Sequence, residues 1–273
     1  MNKPQEETAS WNYAELWDKF PPPARPSKEE LEYLEKELRP LVAANPDIKL
    51  LILGSTIEYR SLCKKLGIKP YVVDFKKEHF DTLSEYADEK FEDEHFIEAD
   101  WLHLEGEDTY DIIIGHRPYN VIRHGEIEQL FRVMHKVLKP GGVFYCKGNM
   151  INPDAPDRLE QIREQWTMEE NREYPLFSYI EVELYTHTAG ENGYVDYPKA
   201  RKIINDWFEQ EKISQEDYDL AKLLVSMDAE AQFRNATKDE IDSGIEAAGF
   251  SSSEQLVLDK EICENMPIIK LTK

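Results

Sequence analysis

One stretch, Ile48 to Asp74, limits the fold more than any other part of the chain. Ile48-Lys49-Leu50-Leu51-Ile52-Leu53 is a short apolar run, and Gly54-Ser55-Thr56 follows at once. Ile57, Leu62 and Leu66 then space the apolar side of a helix, and after Gly67 a second run, Tyr71-Val72-Val73, ends in Asp74. Apolar runs this short, bounded by Gly and Pro, read as strands buried in a parallel sheet. The pattern is strand, turn, helix, strand. A small residue at the turn lets a ligand lie against the backbone, and the start of the helix offers free N–H groups. Asp74 stands twenty positions after Gly54 at the tip of the second strand. An acid there can accept two ribose hydroxyls, as in doubly wound folds that hold adenosine-containing cofactors.

The rest of the chain extends this pattern. Tyr13 and Trp17 belong to an aromatic segment that Pro21-Pro22-Pro23 ends. Its rings must be buried, either on the domain's own side or as a flap over a ligand. Ser27 with Glu30 has capping-box spacing before a helix to about Ala44, whose apolar stripe is Leu31, Leu34, Leu38, Leu41 and Val42. A helix is expected over 75–87, a third strand over 95–99, a fourth over 110–115, a helix over 125–138 and a fifth strand over 143–146. Such alternation points to an α/β sandwich. From about Asn149 to Asn235 the rhythm breaks. Helical pieces over 156–165, 198–211 and 215–225 surround one strand-like run, Tyr179 to Tyr185. The segment is too long for a plain connection and reads as a lid or subdomain. Thr237 then caps a helix ending at Gly249, and two strands close the chain. The expected organisation is an N-terminal flap and helix (1–45), a cofactor-binding core (46–150), a lid or substrate insertion (151–235) and a helix with a strand pair completing the core (236–273).

Charge narrows the function. The net charge is −22, and eleven acids face one base between Ser84 and Asp108. Such a surface repels nucleic acid and anionic lipid, so a small-molecule substrate is expected. The acidic run itself reads as a solvated face. No apolar run is long enough to span a bilayer. Three scattered cysteines (Cys63, Cys146, Cys263) and histidines without ligand spacing argue for a reducing cytoplasm, with neither a disulfide framework nor a metal site. Oligomeric state is not legible.

Val137-Leu138-Lys139-Pro140-Gly141-Gly142-Val143-Phe144 is similar to the L-K/R-P-G-G turn that precedes the fifth strand of class I S-adenosylmethionine-dependent methyltransferases. Ala248-Gly249-Phe250, between the last helix and its strand, resembles the entry to that family's C-terminal hairpin. The first turn departs from the common D/E-x-G-x-G-x-G. Leu53-Gly54-Ser55-Thr56-Ile57-Glu58-Tyr59-Arg60 instead resembles a small subset with L-G-x-T-P-E-L-R, whose members also carry an early Trp and R-P-S, as Trp17 and Arg25-Pro26-Ser27 do here. The resemblance covers roughly residues 46–150 and 236–273. It implies an α/β, doubly wound, mostly parallel seven-stranded sheet with an inserted lid, using S-adenosylmethionine and releasing S-adenosylhomocysteine. It further implies that Gly54, Ser55 and Thr56 meet the methionine end, Asp74 the ribose, Phe75 the adenine face and Asp100 the adenine amine beside Trp101. Gly115 and His116 would border the sulfonium, and Tyr13 and Trp17 would cover the cofactor.

Methyl transfer from a sulfonium chiefly needs alignment and exclusion of water, with a base only if the acceptor carries a proton. Gly115-His116-Arg117-Pro118-Tyr119-Asn120 follows the fourth strand where an acceptor should sit, with a partial echo of N-P-P-Y. His116 and His124 are candidate bases, and Arg117 and Tyr119 candidate substrate contacts. The expected activity is methyl transfer to a small-molecule O or N acceptor. Two alternatives remain: an NAD-dependent oxidoreductase, which Asp74 would also fit although no G-x-x-G follows Gly54, and a non-catalytic adenosylmethionine-binding protein.

Overall fold

In a computed structural model the described residues are 13–87, 90–91, 93–152, 156–168, 173–225 and 233–273. A 3-10 helix, Tyr13–Lys19, leads to helix α1 (Lys28–Ala44), which begins where the Ser27 side chain accepts from Glu30 N. Strand β1 (Leu50–Leu53), α2 (Ile57–Leu66), β2 (Tyr71–Asp74), α3 (Lys77–Glu85) and β3 (His95–Glu98) follow. Then come β4 (Tyr110–His116), α4 (Ile127–Val137) and β5 (Leu138–Lys147). A short strand β6 (Met150–Ile151) precedes the inserted helices α5 (Leu159–Met168), α6 (Leu176–Thr188), α7 (Tyr197–Glu209) and α8 (Gln215–Leu224). Strand β7 (Ala236–Thr237), α9 (Lys238–Ala248), β8 (Ser252–Leu256), α10 (Lys260–Cys263) and β9 (Ile268–Thr272) complete the chain.

Seven strands form one sheet in the order β3-β2-β1-β4-β5-β9-β8. The pairs from β3 through β5 are parallel; β9 runs antiparallel between β5 and β8. Leu50–Leu53 is buried on both faces, because α1 and α2 cover one side and α4 and α9 the other. The capping box at Thr237 and the left-handed Gly249 bound α9 as their sequence predicts. A third apolar cluster joins the N-terminal segment (Trp17, Phe20, Ala24) to the inserted helices through Leu159, Leu176, Phe177, Ile180 and Leu184.

The fifth strand starts earlier than expected, at Leu138, and takes in the predicted turn; another element changes type. Tyr179 to Tyr185, taken in the sequence as strand-like, lies inside helix α6. Ile180, Val182 and Leu184 alternate, but Leu176, Phe177, Ser178, Glu181, Tyr185 and Thr188 are buried too. A helix enclosed on nearly all sides has no polar face to mark a 3.6-residue period, so a period of two shows by default. No helix among the described residues is long and apolar enough to cross a membrane.

Candidate active site

The carboxyl ends of β1, β2, β4 and β5 form one edge. After β1 the chain turns at Gly54, whose φ of +83° favours glycine and whose N–H donates to Val73 O at 2.8 Å. Thr56 is the N-cap of α2 and makes no side-chain cap bond. The Asp74 carboxylate faces this turn: its Oδ2 accepts from Ser55 N at 3.1 Å and Ser55 Oγ at 2.7 Å, and its Oδ1 accepts from Phe75 N at 2.8 Å. Burial pushes the Asp74 carboxyl up, against the hydrogen bond from Ser55 and the nearby His79. Phe75 is 55% exposed, an open aromatic face beside that acid. The Trp101 indole donates to Val73 O at 3.1 Å, and its ring would lie 3.5 Å from a Cβ at Gly54. Asp100, nearly half exposed, accepts from Leu102 N and faces His103 at 3.1 Å. The predicted residues Gly54, Ser55, Thr56, Asp74, Phe75 and Trp101 therefore share one patch, with Asp100 next to Trp101 in sequence.

The N-terminal segment packs over the start of α2. Trp17 is buried, and its indole N–H donates to Glu58 Oε1 at 3.1 Å. Arg25 lies 3.7 Å from the same oxygen. Burial holds the Glu58 carboxyl above its usual range, and its Oε2 has no hydrogen-bond partner among the described residues. The Tyr13 side chain lies outside the described residues.

Gly115 closes β4 against Leu53. The two histidines are in unlike surroundings. The His116 side chain is buried on the α1 side of the sheet, with Nε2 3.0 Å from Pro23 O and Nδ1 3.3 Å from Glu30 Oε1. Burial pushes its pKa down, and Arg117 and Lys147 add to this against the pull of Glu30. Both ring nitrogens thus already face protein oxygens. His124 is half exposed, 3.5 Å from Glu240. Arg117 is buried and donates to Glu181 Oε1 on α6 at 2.7 Å, while its guanidinium lies 5.2 Å from the Phe233 ring. Its partner is an interior acid, not one on the acidic surface. Tyr119 is fully buried, and its ring lies so close to Gly148 that a Cβ there would stand 2.5 Å from Tyr119 Cζ.

Sequence reasoning missed Glu58, Asn120, Asn149, Glu181 and Asn235. Asn120 binds the backbone of Asn149 at both N and O and also donates to Arg234 O at 2.7 Å. The signal for Asn149 was its place just beyond the fifth strand; Asn235 carries no comparable mark.

The arrangement is the Rossmann-like methyltransferase fold: a seven-stranded, mostly parallel sheet between helices, closed by an antiparallel strand. It differs from the six-stranded 3-2-1-4-5-6 order of dinucleotide-binding dehydrogenases. Residues 53–142 match the family model described as Methyltransferase domain. Over that stretch the chain is similar to a methyltransferase domain.

No curated protein matches the sequence significantly. Among solved structures, a suspected Zn-dependent alcohol dehydrogenase from Rhodobacter sphaeroides is similar over 97% of this chain and 100% of its own, at 13% identity and a TM-score of 0.56. A suspected O-methyltransferase from Nostoc punctiforme matches over 88% of this chain at 15% identity and a TM-score of 0.49, and the chain spans 56% of its length. An S-adenosylmethionine-dependent methyltransferase from Mesorhizobium loti matches over 89% of this chain and 100% of its own, at 15% identity and a TM-score of 0.48. Identities this low concern the fold alone.

Proposed function

We propose that the chain moves the methyl group of S-adenosylmethionine to an oxygen or nitrogen of a small molecule. The observation that supports this most is the gathering of Gly54, Ser55, Thr56, Asp74, Phe75 and Trp101 on one sheet edge. The donor set suits the cofactor: a left-handed glycine for close backbone approach, a carboxylate for hydroxyls, an exposed ring for a flat base and an indole beside them. Asp74 would hold the ribose, Phe75 the adenine, and Asp100 the adenine amine. Glu58, with one oxygen unpartnered among the described residues, would take the cofactor's ammonium, and Arg25 its carboxylate. Bound there, the sulfonium supplies an activated methyl group. The chain's own part is to hold the acceptor in line and keep water away, and alignment of this kind is worth roughly 7–11 kcal/mol. In this reading the insertion over 151–235 and the segment bearing Tyr13 and Trp17 form the cover, and Arg117 fastens the end of β4 to that cover. His124 is the half-exposed histidine of the two, whereas the buried His116 orders the end of β4.

Calorimetry with S-adenosylmethionine and S-adenosylhomocysteine tests the reading. Saturable binding of both, weakened in Asp74→Ala, is expected. No binding to the folded wild-type chain would end it.

A further inference from the structure

Three asparagines meet just beyond the carboxyl ends of β4 and β5. Asn120 is structural, since its amide is used up by the backbones of Asn149 and Arg234. Asn149 and Asn235 differ. Both are fully buried, yet neither the amide nitrogen nor the amide oxygen of either one has a hydrogen-bond partner among the described residues. The parallel register of β6 and β7 sets Met150 opposite Ala236, so the residues one position earlier, Asn149 and Asn235, stand side by side. Beside them, the Tyr119 ring lies against Gly148, and Tyr119 Oη is also buried without a partner among the described residues. Buried polar groups are nearly always hydrogen-bonded, so a knot of this kind calls for an explanation.

We propose that Asn149, Asn235 and Tyr119 recognise the methyl acceptor, and that the acceptor presents a neutral lactam, amide or ureide edge. This rests on the methyltransferase reading, because the knot lies on the same sheet edge as Gly54 and Asp74. The chemistry of the amides selects the class. Each carboxamide offers two donors and one acceptor. A carboxylate only accepts and would leave both carbonyl oxygens unmatched, and an ammonium only donates. A group with N–H and C=O side by side matches each carboxamide with two bonds. Nearby cations are already committed: Arg117 to Glu181, Arg234 to Glu240 and the Asn192 carbonyl, Lys147 to Glu30. Each of these cations already has a carboxylate to balance its charge, which favours a neutral acceptor.

The test is calorimetry on the full chain saturated with S-adenosylhomocysteine, using uracil, 2-pyridone and hydantoin as lactam probes and benzoate as a carboxylate of similar size. At least one lactam probe should bind saturably and at least tenfold more tightly than benzoate. Asn149→Ala and Asn235→Ala should each weaken that probe at least tenfold, with S-adenosylhomocysteine affinity unchanged within twofold. If either variant fails to fold, Tyr119→Phe removes only the hydroxyl and should weaken the same probe several-fold. Benzoate binding as tightly as the lactams, no saturable lactam binding to the loaded protein, or folded variants that keep wild-type probe affinity would each overturn the proposal. Failure of the wild type to bind S-adenosylhomocysteine would overturn the methyltransferase reading itself, and that is seen before any probe is added.

Discussion

Two buried polar clusters flank the carboxyl ends of β4 and β5, and they are built on opposite terms. On the α1 side, Glu30 accepts from Tyr59 Oη and lies 3.0 Å from Lys147 Nζ and 3.3 Å from His116 Nδ1, with Asp259 3.7 Å from the lysine. Burial opposes ionisation of Glu30, but Lys147 and His116 overcome it and hold its carboxyl far below the usual range. Lys147 is correspondingly held above its ordinary value by Glu30 against its own burial. On the other side, Asn149, Asn235 and Tyr119 carry no charge, and their side-chain polar atoms have no hydrogen-bond partner among the described residues. Charges that face the protein's own groups fasten α1, α2, β4 and β5 together, whereas the neutral groups are the ones proposed above to meet a ligand.

The comparison breaks first at Glu30. Glu30→Ala strands Lys147 and His116 in the interior and should cost about 3–5 kcal/mol of stability, the usual penalty for removing one partner of a buried pair; urea unfolding at neutral pH measures it. Because the folded pKa of Glu30 is depressed, its contribution is present above the unfolded value near 4.3 and fades as pH falls toward the folded one. Wild type should therefore lose stability below about pH 4.3, and the variant should lose less. Next in size, Asp74→Ala should weaken S-adenosylmethionine binding by about 1.5–3 kcal/mol, the range for a hydrogen bond to a charged group, read by calorimetry. Unchanged affinity in the folded variant would remove the ribose assignment. Asn149→Ala should sharpen the contrast by doing little to stability. Taking away an unpartnered amide relieves its desolvation while leaving a small void, so the net change should stay within about 1 kcal/mol; a loss as large as that of Glu30→Ala would show the amide to be structural. The smallest effect is at Asp259, whose carboxyl burial pushes up to about 6. A raised carboxyl favours the fold at low pH, and that help is lost as pH rises from about 3.9 through about 6. Asp259→Asn should remove this slope from stability measured between pH 4 and 7 (a window spanning both values).

What was legible in the sequence was local. Leu50–Leu53, the Gly54 turn and Asp74 are contiguous, and their order is their geometry. The Thr237 cap is likewise written within a few residues, whereas Leu138 to Gly142, expected as a turn before the fifth strand, already belongs to β5. Helix α6 was misread because burial on nearly all sides erases the period that marks a helix. His116 drew attention as an imidazole at a strand end, but nothing nearby announces Glu30 or Pro23, which lie 86 and 93 residues away in the chain. Asn149 and Asn235 look ordinary until burial is known, and burial of a polar side chain is a tertiary fact.

The apolar cluster that joins Trp17, Phe20 and Ala24 to Leu176, Phe177 and Ile180 makes the leading segment and the inserted helices one packed unit. Peeling back the leading segment would uncover the floor of the inserted helices, and swinging those helices out would strip the leading segment of its packing. If the sheet edge holds the proposed donor and acceptor, the two would then be uncovered together.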